Sequence, residues 1–210
     1  MTSKKSTAAL PLPQGNLLRP ACALALISLL GFGLSYSLIA TSIGSNLFPE
    51  QASGNMIVRN GTVIGSEWVA QPFVSPGYFQ ARPSAASYDP MALAGSNQAR
   101  TNPDLRQRID EQRAAIASRE GIDPGAIPSD LITQSGGGID PHISPGSAQI
   151  QVVRVARERG MSVSQVQTLL EAHTEGRQWG LFGQPRVNVL MLNLALDEAN
   201  AKGSGYAGKP

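Results

Sequence analysis

The strongest pattern along the chain is a long interval without charge, from Arg19 to Glu50. Within it, Pro20 to Ile43 are almost all apolar or small. A helix rises about 1.5 Å per residue, so roughly 20 such residues cross a hydrocarbon core about 30 Å thick. Lipid offers no hydrogen-bond partners, so the segment must satisfy its own backbone as a helix. The pattern therefore predicts one transmembrane helix over residues 20–43. A buried helix of a soluble domain is one alternative, but such helices are shorter and seldom uncharged for so long. A cleavable signal peptide is the other. Its apolar stretch usually holds only about 7–15 residues, and Ala40-Thr-Ser42 is a weak cleavage site.

Past residue 50 the periods are short. Met56 to Ile64 reads as a hairpin, because β-branched runs flank Asn60-Gly61, a pair that accepts φ > 0 at both turn positions. Asn60-Gly-Thr62 is also a formal glycosylation sequon, which the turn explains. Gly65 to Phe73 continues extended. Residues 75–101, rich in Pro, Gly, Ser, Ala and Asn, predict an irregular packed segment anchored by Tyr78, Phe79 and Tyr88. Asn102-Pro103 opens a helix that carries Leu105, Ile109 and Ile116 inward and stops at Gly121. A second helix is expected from Ser147 to Glu158, with Val152, Val153 and Ala156 buried and Arg154, Arg157 and Glu158 exposed. A third begins at Ser162, which forms a capping box with Gln165; Val163, Val166, Leu169 and Leu170 are its apolar stripe. Gly180 to Val187 is a turn into a central strand over 186–196, with a short helix near Asp197. Trp68 and Trp179 are expected in the core or at an interface. A few strands with three helices give an α+β fold class: one transmembrane helix, then one mixed α/β domain.

Charge adds orientation. Lys4, Lys5 and Arg19 precede the span, and the next basic residue is Arg59. Basic residues are retained on the cytoplasmic side. The expected organisation is a cytoplasmic N-terminus (1–19), the span (20–43), an extracytoplasmic domain (50–198) and a disordered tail (199–210). With 17 Lys and Arg against 15 Asp and Glu, and no basic cluster, the chain has no nucleic-acid signature. Its one cysteine, Cys22, lies in the span, so the outer domain is held by packing without a disulfide. His142 and His173 are too few and too separated for a zinc site.

The densest polar cluster runs from Thr133 to Pro145. Gly136, Gly137 and Gly138 allow tight turns or exposed N–H groups. Asp140, His142 and Ser144 alternate, so an extended backbone would put them on one face. That face suits a cation, an anion or acid–base work, and a membrane-anchored extracytoplasmic hydrolase using His142 and Asp140 is the function it would support. The competing reading is a rigid polar loop that positions the next helix, which Pro141 and Pro145 favour. No Gly-Lys-Ser/Thr ending marks a phosphate loop. A triad of Ser144, His142 and Asp140 fails, because close neighbours in the chain cannot easily converge and no nucleophile elbow precedes them. No catalytic residue is assigned. Arg82 is expected to pair with a carboxylate or line an interface.

Several stretches together resemble the C subunits of the Kdp potassium-transporting ATPase. They are Val63-Ile-Gly-Ser66, Gln71-Pro-Phe73, Tyr78-Phe79, Arg82-Pro-Ser-Ala85, Gly95-Ser-Asn97, Asn102-Pro103, Ile127-Pro-Ser-Asp-Leu131, Ser135 to Pro145, Gln151 to Ala156 and Arg186 to Asp197. Asp140-Pro-His-Ile-Ser-Pro145 followed by Val187-Asn-Val-Leu190 is the most specific combination. Glu67 to Ala70 and Gln80-Ala81 depart from the family pattern. The resemblance implies an accessory subunit of an ATP-driven potassium importer in the bacterial inner membrane. Its partners would be the channel-like potassium-translocating subunit (KdpA), the P-type ATPase subunit (KdpB), a small membrane subunit (KdpF) and the lipid bilayer. ATP would be hydrolysed by a partner subunit, with no cofactor on this chain. The family is described as a catalytic chaperone that raises ATP affinity, which would make Ser135, Gly137 and Gln151 nucleotide-binding. The residues themselves read as an interface or structural loop built from Arg82, Ser135, Gly136, Gly137, Gly138, Asp140, His142 and Ser144, with Gly137 a candidate for positive φ.

Overall fold

In the computed structural model, which describes residues 17–206, the uncharged interval is one continuous helix, Leu18–Leu47. It comprises α1 (Leu18–Ile27), a π-helical stretch (Ser28–Leu34) and α2 (Ser35–Leu47). Three serine hydroxyls along it return to the helix's own carbonyls: Ser35 Oγ donates to Leu30 O at 3.1 Å, Ser37 Oγ to Gly33 O at 2.7 Å and Ser45 Oγ to Thr41 O at 2.7 Å. These groups are satisfied within the helix, as an apolar surrounding demands. A short α3 (Pro49–Ala52) follows, and the chain divides into two compact units at Ser53 and Gly54.

The second unit opens with the expected hairpin, β1 (Met56–Arg59) and β2 (Thr62–Ser66). Asn60 and Gly61 have φ of 52° and 77°, the left-handed pair that matches the twist of a two-residue turn. After a long irregular segment comes α4 (Pro103–Glu120). Asn102 caps it by accepting from Asp104 N at 2.8 Å, and Gly121 ends it at φ 70°. Two single turns, Pro124–Ala126 and Ser129–Leu131, lead to β3 (His142–Ile143). Then follow α5 (Pro145–Gln149), α6 (Val152–Arg159), α7 (Val163–Ala172), β4 (Thr174–Glu175), β5 (Arg186–Asn188) and α8 (Val189–Tyr206). The capping box of Ser162 and Gln165 forms as the sequence predicts. The antiparallel sheet has the order β3-β5-β4, with β5 central.

Phe79, Ile116, Leu131, Ile143, Val152, Val155, Val166, Val187, Leu192 and Leu196 form one core. It joins α4, α6, α7 and α8 to the sheet and to the irregular segment through Phe79.

Several expectations are corrected. The strand over 186–196 stops at Asn188, because Asn188 Oδ1 accepts from Met191 N at 3.1 Å and starts a helix. Val189, Leu192 and Leu196 are buried while Met191 faces out, a helical spacing rather than an alternating one. The helix over 147–158 is two helices, since Gln151 N bonds to Ala148 O, a tightened turn. On α6, Val155 rather than Val153 joins the core, Val153 is exposed, and Arg154 is buried. On α7, Val163 is exposed. Of the two places expected for Trp68 and Trp179, the core is excluded and an interface is left. Helix α8 runs through part of the segment read as a tail; residues 207–210, and most of the expected cytoplasmic segment, lie outside the described residues.

Candidate functional site

The irregular segment has no strand partner, so its backbone groups must be satisfied otherwise. Buried side chains do this. Gln151 Oε1 accepts from Gln80 N at 2.9 Å, and its amide nitrogen donates to Gln80 O at 3.2 Å and Ser147 O at 3.1 Å. Asn193 mirrors the arrangement on Phe79, accepting from its N at 2.8 Å and donating to its O at 2.9 Å. Arg154 donates to the carbonyls of Pro76 and Tyr78, to Gln151 Oε1 at 2.9 Å and to Glu120 Oε2 at 2.9 Å. The Glu120 side chain is fully buried, and Arg119 also bonds to it. Arg159 stacks on the Tyr78 ring at 4.5 Å and donates to Asp197 at 2.9 Å, while Tyr78 Oη donates to the same carboxylate. The amides of Gln151, at the N-cap of α6, and of Asn193, on α8, thus imitate a neighbouring strand. Gln151 uses both amide protons and takes two donors on its oxygen, which is its whole capacity.

The glycine-rich loop is built against the segment Arg82 to Asn97. Ser84 Oγ donates to Gly138 O at 2.5 Å and accepts from Tyr88 N at 2.9 Å. Tyr88 Oη donates to Arg82 O at 2.8 Å; burial pushes this phenol's pKa up, which keeps it a donor. Ser135 is buried, its N donating to Pro83 O at 3.3 Å and its Oγ accepting from Gly138 N at 2.9 Å. The glycines have steric reasons. Gly138 sits at φ 78°, and a Cβ there would lie 2.8 Å from Ala86 Cβ. A Cβ on Gly95 would lie 2.8 Å from Gly136 O. Gly137 has open space around it and no positive φ, so the strained position is Gly138.

Asp140, His142 and Ser144 do share a face, with Pro141 and Ile143 turned inward. They line an open cleft of about 520 Å³ with Arg82, Asp130 and Arg186. Arg82 donates to Asp140 Oδ2 at 2.9 Å, and His142 N donates to Asp140 Oδ1 at 3.0 Å. Burial would raise the Asp140 pKa, but hydrogen bonds from His142 and then the Arg82 guanidinium hold it below its ordinary value. Ser144 is committed elsewhere. It caps α5 by accepting from Ser147 N at 3.1 Å and donates to Asp130 Oδ1 at 3.1 Å. Ser147 Oγ reaches the same oxygen at 2.6 Å. The cleft therefore holds a carboxylate–imidazole pair at 3.5 Å (Asp140 Oδ1 to His142 Nδ1) with no activated serine beside it. Among the described residues no group of His, Cys, Asp or Glu side chains is placed to hold a metal ion.

Glu120 was not singled out from the sequence, Asp130 and Asn193 entered only within longer stretches, and Arg154 was read as exposed. Asp130 carried no local signal, because its partners Ser144 and Ser147 lie 14 and 17 positions further along the chain. Arg154 carried little, lying at the edge of the α6 apolar stripe.

Residues 18–198 match the family described as "K+-transporting ATPase, c chain". This chain belongs to the KdpC family. The match begins at the first residue of the apolar helix and ends inside α8, so it spans both units. A "Potassium-transporting ATPase KdpC subunit" of Xanthomonas campestris pv. campestris (strain B100) is 57% identical over 199 residues, 95% of this chain and 94% of the relative. A KdpC subunit of Shewanella putrefaciens (strain CN-32 / ATCC BAA-453) is 52% identical over 166 residues, 79% of this chain and 83% of the relative. One of Methylococcus capsulatus (strain ATCC 33009 / NCIMB 11132 / Bath) is 46% identical over 185 residues, 87% of this chain and 97% of the relative.

Proposed function

We propose that the chain is a non-catalytic accessory subunit of an ATP-driven potassium importer, anchored in the bacterial inner membrane by Leu18–Leu47. The observation that carries this reading is the KdpC-family match across both the apolar helix and the following domain. Its partners are the channel-like subunit, the P-type ATPase subunit that hydrolyses ATP, and the small membrane subunit. The N-terminus is cytoplasmic and the domain over residues 50–198 extracytoplasmic, which the basic residues ahead of the span support.

Arg82, Ser135, Gly136, Gly137, Gly138, Asp140, His142 and Ser144 form a structural seam rather than a nucleotide site. Supporting this, Gln151 has no hydrogen-bonding capacity left and Ser135 is buried against Pro83. Any effect on ATP affinity then passes through the complex as a coupling free energy.

Purification in mild detergent tests the assignment. The tagged full chain should retain the channel-like and ATPase subunits at fixed ratio; recovery of the chain alone from cells expressing all subunits would refute it. Orientation has its own test. A cysteine at Ser118, which is exposed on α4, in a Cys22→Ser background should react with an impermeant thiol reagent in intact spheroplasts. Reaction only after permeabilisation would reverse the topology.

A further inference from the structure

Between β4 and β5 the chain projects Gly176-Arg-Gln-Trp-Gly-Leu-Phe-Gly-Gln184. This loop is closed on itself. Gln178 N donates to Phe182 O at 2.9 Å, Phe182 N and Leu181 N both donate to Gln178 O at 3.0 Å, and Gly180 N donates to Arg177 O at 3.0 Å. Trp179 and Phe182 meet edge to face at 6.1 Å. Yet Trp179 is 86% exposed, Leu181 75% and Phe182 60%. Trp179 also holds φ 52°, a left-handed conformation that a bulky residue rarely adopts. Both features oppose folding of the chain by itself: apolar surface is left in water, and the backbone is strained.

We infer that this tip is a docking knob that seats in an apolar pocket of a partner subunit. The inference rests on the reading of the chain as a subunit of a larger assembly. Three observations select a protein pocket over a lipid surface. The knob is convex and hydrogen-bonded into one shape, so little ordering cost remains on binding. Its exposed side chains are two aromatics and a leucine, and large aromatics anchor the centres of protein interfaces. Of the arginines at its base, Arg186 is paired with Glu175 Oε2 at 2.8 Å, and Arg177, bonded to the neutral Gln184 Oε1 at 3.3 Å, is the single cation left beside the tip. A headgroup layer recruits through a cluster of several free cations, which the tip lacks.

The test uses the full chain in vesicles and the complete complex, both carrying Trp68→Phe. Trp179 is then this chain's only tryptophan, since it has two, and incorporating 5-hydroxytryptophan into this chain alone before assembly sets its emission apart from that of the partner subunits. Iodide should quench Trp179 in the chain alone and lose access in the complex. The double variant Trp179→Asn, Phe182→Ala, in which Asn tolerates the left-handed backbone, should raise the concentration for half-assembly by roughly 30-fold or more. A thermal melt equal to that of the parent shows that the variant is folded. Equal iodide access in chain and complex, with wild-type co-purification intact, would overturn the knob while leaving the subunit reading standing. Quenching of Trp179 by brominated lipid in vesicles holding this chain alone would overturn it in favour of the membrane surface.

Discussion

Two regions of the second unit invert the usual distribution of polar and apolar residues, in opposite directions. Around Gln151, Arg154, Glu120 and Asn193, polar side chains are buried among Val152, Val155 and Leu192. At Trp179, Leu181 and Phe182, large apolar side chains stand in solvent. The buried polar group is saturated: each amide of Gln151 and Asn193 bonds to the backbone of residues 79 and 80, and Arg154 spans Glu120 and two carbonyls. The exposed apolar group has its backbone closed and its side chains uncovered. The contrast separates two purposes. A polar residue whose hydrogen bonds all end within the fold serves the fold. A cluster of large apolar residues that the fold leaves outside is free for contact with something else, as a single exposed residue such as Met91 is not bound to be.

The largest effect is expected at Arg154. Arg154→Met keeps the volume but removes one of the two arginines on the fully buried Glu120, together with the donor to Gln151 and to the carbonyls of Pro76 and Tyr78; breaking a buried pair from one side costs up to about 3–5 kcal/mol. Thermal unfolding of the full chain in detergent would show it. A loss of under about 1 kcal/mol would mean that the network is not what pins residues 76–80.

The glycine loop gives a sharper pair. Gly138→Val adds strain at φ 78° and a clash with Ala86 and Ala94, so destabilisation of about 1–3 kcal/mol or more is expected. Gly137→Ala, with open space and no positive φ, should stay within about 0.5 kcal/mol. Equal effects of the two would remove the steric reason for the loop's composition.

Asp140 tests the electrostatic side of the same seam. Its folded pKa is lowered, so its contribution to stability is present above the ordinary carboxylate value of about 4 and is lost as pH falls through the lowered value. Asp140→Asn should flatten the acid limb of the stability profile. An unchanged acid limb would show that the Arg82 and His142 bonds contribute nothing in solution. The smallest cost to folding belongs to the exposed tip: Trp179→Asn should lose less than about 0.5 kcal/mol, and relief of the left-handed strain at φ 52° acts in the stabilising direction. A large loss there would move the tip to the fold's side of the comparison.

What was legible in the sequence was local. The Asn60-Gly61 turn, the Asn102 and Gly121 caps and the Ser162–Gln165 box each need only a few neighbouring residues to form, and all are present. The uncharged interval was legible because the pattern is long. The polar network was not, since its bonds join residues 71 and 114 positions apart. Reading Arg154 as exposed followed from its charge, and the carbonyls that desolvate and bind it lie far away in the chain. The strand expected over 186–196 failed for a related reason. Its apolar run fits either period, and a side-chain bond from Asn188 decided it. In the candidate loop, the shared face of Asp140, His142 and Ser144 was visible, but the capture of Ser144 by Asp130 was not.

The central claim is that Gln151 and Ser135 belong to the fold and touch no nucleotide. Isothermal titration of the full chain in detergent with MgATP, at physiological ionic strength, tests it most directly. The account predicts no saturable heat, only weak binding that salt abolishes, as a slightly basic protein shows toward any polyanion. Saturable, magnesium-dependent binding in the micromolar range would contradict it, if lost on Ser135→Ala or Gln151→Glu while the thermal melt stays intact.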